Sequence, residues 1–114
     1  MKDCLFCRIA SGEARGTIVH EDEEIVAFRD IHPQAPVHLL IVPRRHVASL
    51  ADAAEGDAPL LARLLLVARD LAVRERIDAG GWRLVANRGS DGGQTVPHLH
   101  FHLLGGRAMT WPPG

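Results

Sequence analysis

The chain has 114 residues, enough for one domain, and its composition of 46% hydrophobic and 24% charged residues is typical of a folded globular protein. Its net charge of -1 disfavours binding to duplex nucleic acid, which needs an excess of cations on the protein. No apolar run reaches the roughly 20 residues of a membrane span, and none has the form of a signal peptide. We therefore expect a soluble, cytoplasmic protein without a nucleic-acid or membrane partner.

In the first half of the chain, short apolar segments alternate with turn residues, which predicts a short helix followed by three strands. The acidic run at residues 21–24 predicts the turn of a hairpin, and Pro33 and Pro36 mark an irregular link. Pro43 ends the third strand because proline cannot donate a backbone hydrogen bond. The predicted elements are a helix over residues 4–10, strands over 17–20 and 25–28, and a central strand over 37–42.

Residues 57–77 predict the one long helix, with Asp57 as its N-cap and Gly80-Gly81 as its end. Two apolar stripes run along this helix. We expect the first stripe to face the core and the second to form a subunit interface, the alternative being that a loop of the same chain covers it. The first stripe is Leu60, Leu61, Leu64, Leu65, Val67, Ala68 and Leu71, and the second is Ala62, Leu66, Val73 and Ile77.

The last third of the chain predicts a strand over residues 82–87, a loop over 88–97, a strand over 98–104 and an extended tail over 105–114. The second of these strands alternates histidine with apolar residues. Because successive side chains in a strand point to opposite faces, His98, His100 and His102 are expected to share one face.

A row of three imidazoles favours proton chemistry near neutral pH. A zinc ion bound by all three is disfavoured, because the outer two lie roughly 13 Å apart along a strand. Three buried histidines without a chemical role are disfavoured by their common register. The remaining interpretation is nucleophilic catalysis, and His100 is the best candidate because it has an imidazole on each side.

The loop before the histidines favours a phosphate ligand. Its glycines at positions 89, 92 and 93 allow backbone N–H groups to approach an anion closely. A long flexible hairpin loop, which glycine suits equally well, is the alternative. The candidate phosphate contacts are Asn87, Gly93, Gln94 and Thr95.

Cys4 and Cys7 are the only cysteines, and their Cys-x-x-Cys spacing is typical of half a zinc site. In a small cytoplasmic chain this pair favours a metal site or redox chemistry over a structural disulfide. A redox-active pair and two buried free thiols both remain open at this point.

The run His-Leu-His-Phe-His-Leu-Leu at residues 98–104 resembles the signature of the histidine triad (HIT) family. The segments at residues 30–43, 89–94 and 104–114 are similar to the Hint branch, the histidine triad nucleotide-binding proteins. The resemblance covers nearly the whole chain. It implies a single α+β domain over residues 1–114, with a five-stranded antiparallel sheet, one long and one short helix, and a homodimer with a continuous sheet.

The resemblance also implies hydrolysis of purine nucleoside 5′-phosphoramidates, or related adenosine monophosphate conjugates, through a covalent nucleotidyl-histidine intermediate. It assigns the nucleophile to His100, phosphate binding to His102, and a place near the leaving group to His38. It places His98 in the same catalytic set and gives the ribose hydroxyls to Asp30. The implied nucleotide-binding residues are Phe6, Ile9, Phe28 and Ile31 around the base, with Asn87, Gly93, Gln94 and Thr95 near the phosphate.

Similar bacterial proteins imply that His46 and His98 complete a structural zinc site with Cys4 and Cys7. No metal is needed for the chemistry itself. Besides the pair of Cys4 and Cys7, two positions depart from the family pattern: Thr95 stands where serine is common, and Pro97 removes a backbone donor just before the first triad histidine. These departures leave the choice of leaving group open.

Two other functions remain open from the sequence. One is a dinucleoside polyphosphate hydrolase of the Fhit type, although the Trp-Pro-Pro-Gly ending and the Gly-Gly loop favour Hint. The other is a nucleotide-binding interaction protein whose hydrolysis is incidental, because an intact site does not reveal a physiological role.

Overall fold

Five antiparallel strands form one sheet in the order β1-β2-β3-β5-β4, and a long helix packs on one of its faces. The computed structural model describes residues 3–114, so residues 1 and 2 of the predicted domain lie outside the described residues. The α+β fold with a five-stranded antiparallel sheet is confirmed. The elements are α1 Leu5–Ser11, β1 Ile18–Glu21, β2 Ile25–Arg29, β3 Val37–Pro43, α2 Ala58–Arg74, β4 Trp82–Val85, α3 Gly89–Gly92 and β5 Phe101–Gly105.

The hairpin of β1 and β2 turns on an aspartate rather than on an Asn-Gly pair. The Asp22 carboxylate accepts the backbone N–H groups of Glu24 and Ile25, each at 2.8 Å, which closes the turn. His20 lies 2.8 Å from the same carboxylate. Although burial opposes ionisation, these hydrogen bonds lower the pKa of Asp22 to about 2.

Helix α2 is shorter than predicted, because it ends at Arg74 rather than at Ile77. Arg76 adopts a left-handed conformation with φ 60°, and the N–H groups of Arg76 and Ile77 bond back to Val73 and Ala72. This is a Schellman motif with arginine at the left-handed position where glycine is usual, so no glycine in the sequence marks the end of the helix. Asp57 precedes the helix, but its side chain bonds Ala54 N–H and Arg45 instead of capping the helix.

The first stripe of α2 faces the core as predicted, with the exception of Leu65, which is 48% exposed. In the second stripe, Ala62, Leu66 and Val73 are exposed, whereas Ile77 lies beyond the helix and is buried. Ile77 packs so closely on Gly105 that a Cβ atom there would lie 2.6 Å from its Cδ1. Ile77 therefore belongs to the core rather than to a surface stripe.

The predicted histidine strand starts three residues too early, because β5 begins at Phe101. Before it, the N–H of His98 bonds Val96 O at 2.8 Å, and the N–H of Leu99 bonds Val47 O at 2.6 Å. Pro97, which lies between Val96 and His98, has no N–H to donate. Within this segment the N–H of Leu99 therefore bonds a neighbouring loop, and the ladder with β3 begins only at Phe101. The alternation of faces is retained, since Leu99 and Phe101 lie in the core under α2.

The remaining differences are small. Strand β4 ends at Val85, and the predicted loop over residues 88–97 contains the single helical turn α3. Residue 105 ends β5, and residues 106–114 form no helix or strand. Among the described residues, no helix has both the length and the apolar character of a membrane span.

Candidate functional site

A cavity of about 240 Å³ lies between α1, the end of β2 and the histidine face of the sheet. Its walls are mostly apolar, and two histidines and one carboxylate reach it. Eight predicted site residues line it together: Phe6, Ile9, Phe28, Asp30, Ile31, Thr95, His100 and His102. The other lining residues were not predicted: Leu5, Arg15, Gly16, Arg29, Leu40 and Val96.

The ring of His100 is held in one tautomer by the backbone. Its Nδ1 lies 2.7 Å from the carbonyl oxygen of His98, so Nδ1 carries the proton and donates it. The other nitrogen, Nε2, therefore carries the lone pair. Among residues 3–114, every fully buried side-chain nitrogen or oxygen has a hydrogen-bond partner. His100 Nε2 has no such partner, so it is not fully buried and is accessible from the cavity that His100 lines. Burial lowers the pKa of His100, which keeps the ring neutral and nucleophilic at pH 7.

A second chain of hydrogen bonds fixes the tautomers of His38 and His102. The N–H of Gln34 donates to His38 Nδ1 at 3.0 Å, so His38 carries its proton on Nε2. That proton is donated to His102 Nδ1 at 2.9 Å. An Asp30 carboxylate oxygen also lies 3.4 Å from His38 Nε2. His102 therefore carries its own proton on Nε2, where it can be donated to a ligand in the cavity.

Both rings of this chain are neutral near pH 7. Burial, followed by the neighbouring His100 and His38, lowers the pKa of His102 to about 4. Burial also lowers the pKa of His38, against the opposing charge of Asp30. The cavity thus presents one imidazole lone pair, on His100, beside one imidazole N–H, on His102.

His98 does not face the cavity, contrary to its predicted place in the catalytic set. It is fully buried, and its Nε2 donates to the carbonyl oxygen of Pro43 at 2.8 Å. Its Nδ1 points at Cys4 Sγ, 3.1 Å away, and Cys7 Sγ, 3.4 Å away. Both ring nitrogens are therefore occupied away from any substrate.

The predicted metal ligands Cys4, Cys7, His46 and His98 come together in a cluster, and their ligand atoms all lie within 4.8 Å of one another. His46 Nδ1 lies 3.4 Å from Cys7 Sγ. In tetrahedral zinc with ordinary bond lengths, sulfur and nitrogen ligands lie about 3.5 Å apart, so the cluster fits such an ion closely. The hydrogen bond from His98 to Pro43 O is the outer support that zinc-bound histidines usually have.

Three of the predicted phosphate contacts, Asn87, Gly93 and Gln94, do not line the cavity. The side chain of Gln94 donates to Ala48 O at 2.8 Å and Val96 O at 3.1 Å, and it accepts the N–H of Gly89. Its donors are therefore used to hold the loop to the protein. Thr95, the next residue, does line the cavity.

One of the unpredicted lining residues carried a signal in the sequence. Leu40 lies two residues from His38 in β3 and pairs directly with His102, so strand alternation places it on the histidine face. Arg15, Gly16 and Val96 reach the cavity from loops. No periodic pattern marks them, so their positions depend on the tertiary fold.

Fold and site together define an α+β protein with an alternating histidine row that borders an apolar cavity. The family profile described as scavenger mRNA decapping enzyme C-term binding matches residues 3–110. An uncharacterized HIT-like protein of Synechococcus elongatus is 47% identical over 113 residues, which are 99% of this chain and 98% of that protein. The chain therefore belongs to the histidine triad (HIT) family, as its resemblance predicted.

Solved structures agree with this assignment. The HIT family hydrolase from Legionella pneumophila is 56% identical, with a TM-score of 0.97 over 98% of this chain and 100% of that chain. A histidine triad protein from Clostridium difficile is 41% identical, with a TM-score of 0.94 over 96% of each chain. The histidine triad nucleotide-binding protein from Candida albicans is 30% identical, with a TM-score of 0.83 over 96% of this chain and 83% of that chain.

Proposed function

We propose that the protein is a hydrolase of purine nucleoside 5′-phosphoramidates that forms a covalent nucleotidyl intermediate on His100. The observation that supports this most strongly is the lone pair of His100 Nε2, which the Nδ1–His98 hydrogen bond leaves free toward the cavity. The names of two relatives, a HIT family hydrolase and a histidine triad nucleotide-binding protein, favour the same activity.

The cavity suggests how such a substrate lies. His100 attacks its phosphorus atom, and a phosphoryl oxygen accepts a hydrogen bond from the Nε2–H of His102. The Asp30 carboxylate binds the ribose hydroxyls as an acceptor. The apolar rings and branches of Phe6, Ile9 and neighbouring residues take up the flat base, because they offer surface and no competing hydrogen bonds.

In the first step, His100 Nε2 forms a bond to phosphorus and the phosphorus–nitrogen bond of the substrate breaks. The leaving amine takes a proton from the Thr95 hydroxyl, which lines the cavity and is reprotonated from solvent, while His102 keeps its Nε2 proton in a hydrogen bond to the phosphoryl oxygen. In the second step, a water molecule attacks phosphorus and the bond to Nε2 breaks. The proton that this water loses is released to solvent, and His100 returns to its neutral form with Nδ1 still bonded to His98.

We also propose that the cluster of Cys4, Cys7, His46 and His98 binds zinc. Four protein ligands leave no open position on a tetrahedral ion, so the zinc would be structural. When bound, it supplies a rigid cross-link between α1, the loop after β3 and the segment before β5. No chemical step passes through it.

A homodimer with a continuous sheet is the proposed assembly. Within residues 3–114, strand β4 lies at the edge of the sheet and pairs with β5 alone. On α2, Leu65, Leu66 and Val73 are 48%, 42% and 59% exposed, which is more apolar surface than a solvated helix usually presents. Light scattering is expected to give twice the mass of one chain, and a monomer at micromolar concentration would contradict this proposal.

Turnover of adenosine 5′-phosphoramidate tests the proposed activity. We expect hydrolysis to adenosine monophosphate by the unaltered protein and by the control His20→Gln, because His20 lies in β1, contacts Asp22 and does not line the cavity. Faster cleavage of a diadenosine polyphosphate would favour the Fhit-type activity instead. Binding of adenosine monophosphate without turnover of either compound would favour the interaction protein.

A further inference from the structure

His98 belongs to two arrangements at once: its ring lies in the Cys/His cluster, and its backbone carbonyl holds the nucleophile. We propose that the metal-loaded cluster positions the ring of His100, so that metal occupancy controls the rate of cleavage although the metal touches no reacting atom. His98 is then a positioning residue. The proposal rests on the proposed function, since it concerns the same nucleophile.

The first connection passes through His98 itself. Its ring is fixed on one side by the Pro43 carbonyl at 2.8 Å and on the other by the two sulfur atoms at 3.1 and 3.4 Å. The carbonyl of the same residue accepts His100 Nδ1–H at 2.7 Å. Displacement of the His98 ring therefore moves the acceptor that sets both the tautomer and the direction of the His100 lone pair.

The second connection passes through Phe6, which lies between the two cysteines in sequence. Its ring contacts His100 edge to face, with centroids 5.0 Å apart, and His98 with centroids 6.0 Å apart. Helix α1 has only seven residues, too few to be stable without tertiary support. A metal bound by Cys4 and Cys7 would hold this helix, and with it Phe6, against the nucleophile.

The third connection is the loop after β3. His46 belongs to this loop, and the next residue, Val47, accepts the N–H of Leu99 at 2.6 Å. Leu99 lies between His98 and His100. The cluster therefore bounds the nucleophile's segment from the loop side as well as from α1.

The expected effect follows from geometry. Metal–ligand bonds hold sulfur and nitrogen atoms at about 2.0–2.3 Å from one ion, whereas thiols donate only weak hydrogen bonds. A misplacement of about 1 Å at a reacting group costs roughly 100-fold in rate. Loss of the metal is thus expected to lower kcat roughly 10- to 100-fold and to weaken adenosine monophosphate binding by a smaller factor, since Phe6 also lines the cavity.

The test compares four proteins: the unaltered chain, His46→Ala, His46→Cys and the control His20→Gln. His46 is the ligand of choice because it does not line the cavity or contact His100. The readouts are zinc content, kcat, the Kd of adenosine monophosphate, far-UV circular dichroism and the NMR signal of the proton on His100 Nδ1. The unaltered chain is also measured after chelation and after return of zinc, so the test does not depend on the folding of a variant.

We expect His46→Ala and the chelated chain to lose zinc, to keep their circular dichroism, and to lose the sharp Nδ1 proton signal together with 10- to 100-fold in kcat. His46→Cys keeps four zinc ligands and is expected to retain zinc, the sharp Nδ1 proton signal and kcat. His20→Gln is expected to match the unaltered chain. Equal kcat and an unchanged Nδ1 signal without metal would overturn the proposal.

Two other results would also overturn it: no zinc in the unaltered chain, or general unfolding on chelation, since the inactivity would then not report on one ring. Failure of the proposed function would give a different experimental result. The zinc-loaded, folded chain would then neither bind adenosine monophosphate nor hydrolyse its phosphoramidate.

Discussion

The two faces of the sheet differ in what they bury. Under α2, the buried sheet residues are apolar throughout, and Ile25, Leu39 and Leu103 are fully inaccessible. On the opposite face, His98 and His100 are buried among apolar side chains, and each has a specific partner for a ring nitrogen. One alternating segment therefore supplies stability on one face and chemistry on the other. A substitution on one face should therefore remove activity and a substitution on the other should reduce stability, each without the other effect.

The largest effect is expected on the histidine face. His100→Ala removes the proposed nucleophile, and kcat for adenosine 5′-phosphoramidate is expected to fall roughly 10³-fold or more. The free energy of unfolding should fall by only about 1–2 kcal/mol, the cost of an unsatisfied His98 carbonyl. Residual turnover near that of the unaltered chain would show that another group attacks phosphorus.

The matched change on the other face is Leu103→Ala. Leu103 is fully buried beside α2, so loss of its side chain is expected to lower the free energy of unfolding by about 2–5 kcal/mol, measured by urea denaturation. At temperatures where the variant remains folded, kcat should stay within about three-fold of the unaltered value. A fall in kcat as large as that of His100→Ala would mean that the two faces are not separable.

Acid should weaken the histidine face selectively. Burial lowers the pKa of His102 to about 4, below the ordinary value of 6.5, so the unfolded chain binds this proton more readily. Stability from this group is complete above pH 6.5 and is lost as the pH falls toward 4. We expect a loss of roughly 1–2 kcal/mol at pH 5 relative to pH 7.5 from His102 alone.

Urea denaturation across this pH range checks the prediction. His102→Gln does not titrate and should show a shallower dependence, by up to one proton per molecule. An identical slope for the variant and the unaltered chain would contradict the low pKa of His102.

The smallest predicted effect touches neither face. Arg76 is exposed and has φ 60°, a conformation that glycine adopts without strain. Arg76→Gly is expected to raise the free energy of unfolding by about 0.5–1 kcal/mol with no change in kcat. Destabilisation would show that the Arg76 side chain has a stabilising contact at the end of α2.

The alternation at residues 98–104 predicted correctly which side chains share a face, because that property depends only on strand geometry. It did not predict where the ladder begins, since this depends on Pro97 and on an acceptor, Val47 O, that lies 52 positions away in sequence. The end of α2 was missed for a similar reason. Its Schellman motif uses Arg76, which no composition rule marks.

The site was predictable where a residue's chemistry was visible in its type. The four atoms of the Cys/His cluster and the residues around the cavity came together largely as the family resemblance implied. The role of His98 could not be predicted, because it is decided by the partners of its two ring nitrogens. The place of Gln94 could not be predicted for the same reason: its amide finds backbone partners at Ala48 and Val96 that only the folded loop supplies, and it does not line the cavity.

Covalent catalysis by His100 can be tested directly by mass spectrometry of the protein during turnover. The protein is mixed with adenosine 5′-phosphoramidate, denatured within one turnover under alkaline conditions that preserve phosphorus–nitrogen bonds, and digested. We expect an adenosine monophosphate adduct on the peptide that contains His100, and no adduct in His100→Ala. Turnover with no adduct, or with an adduct on a different residue, would contradict it.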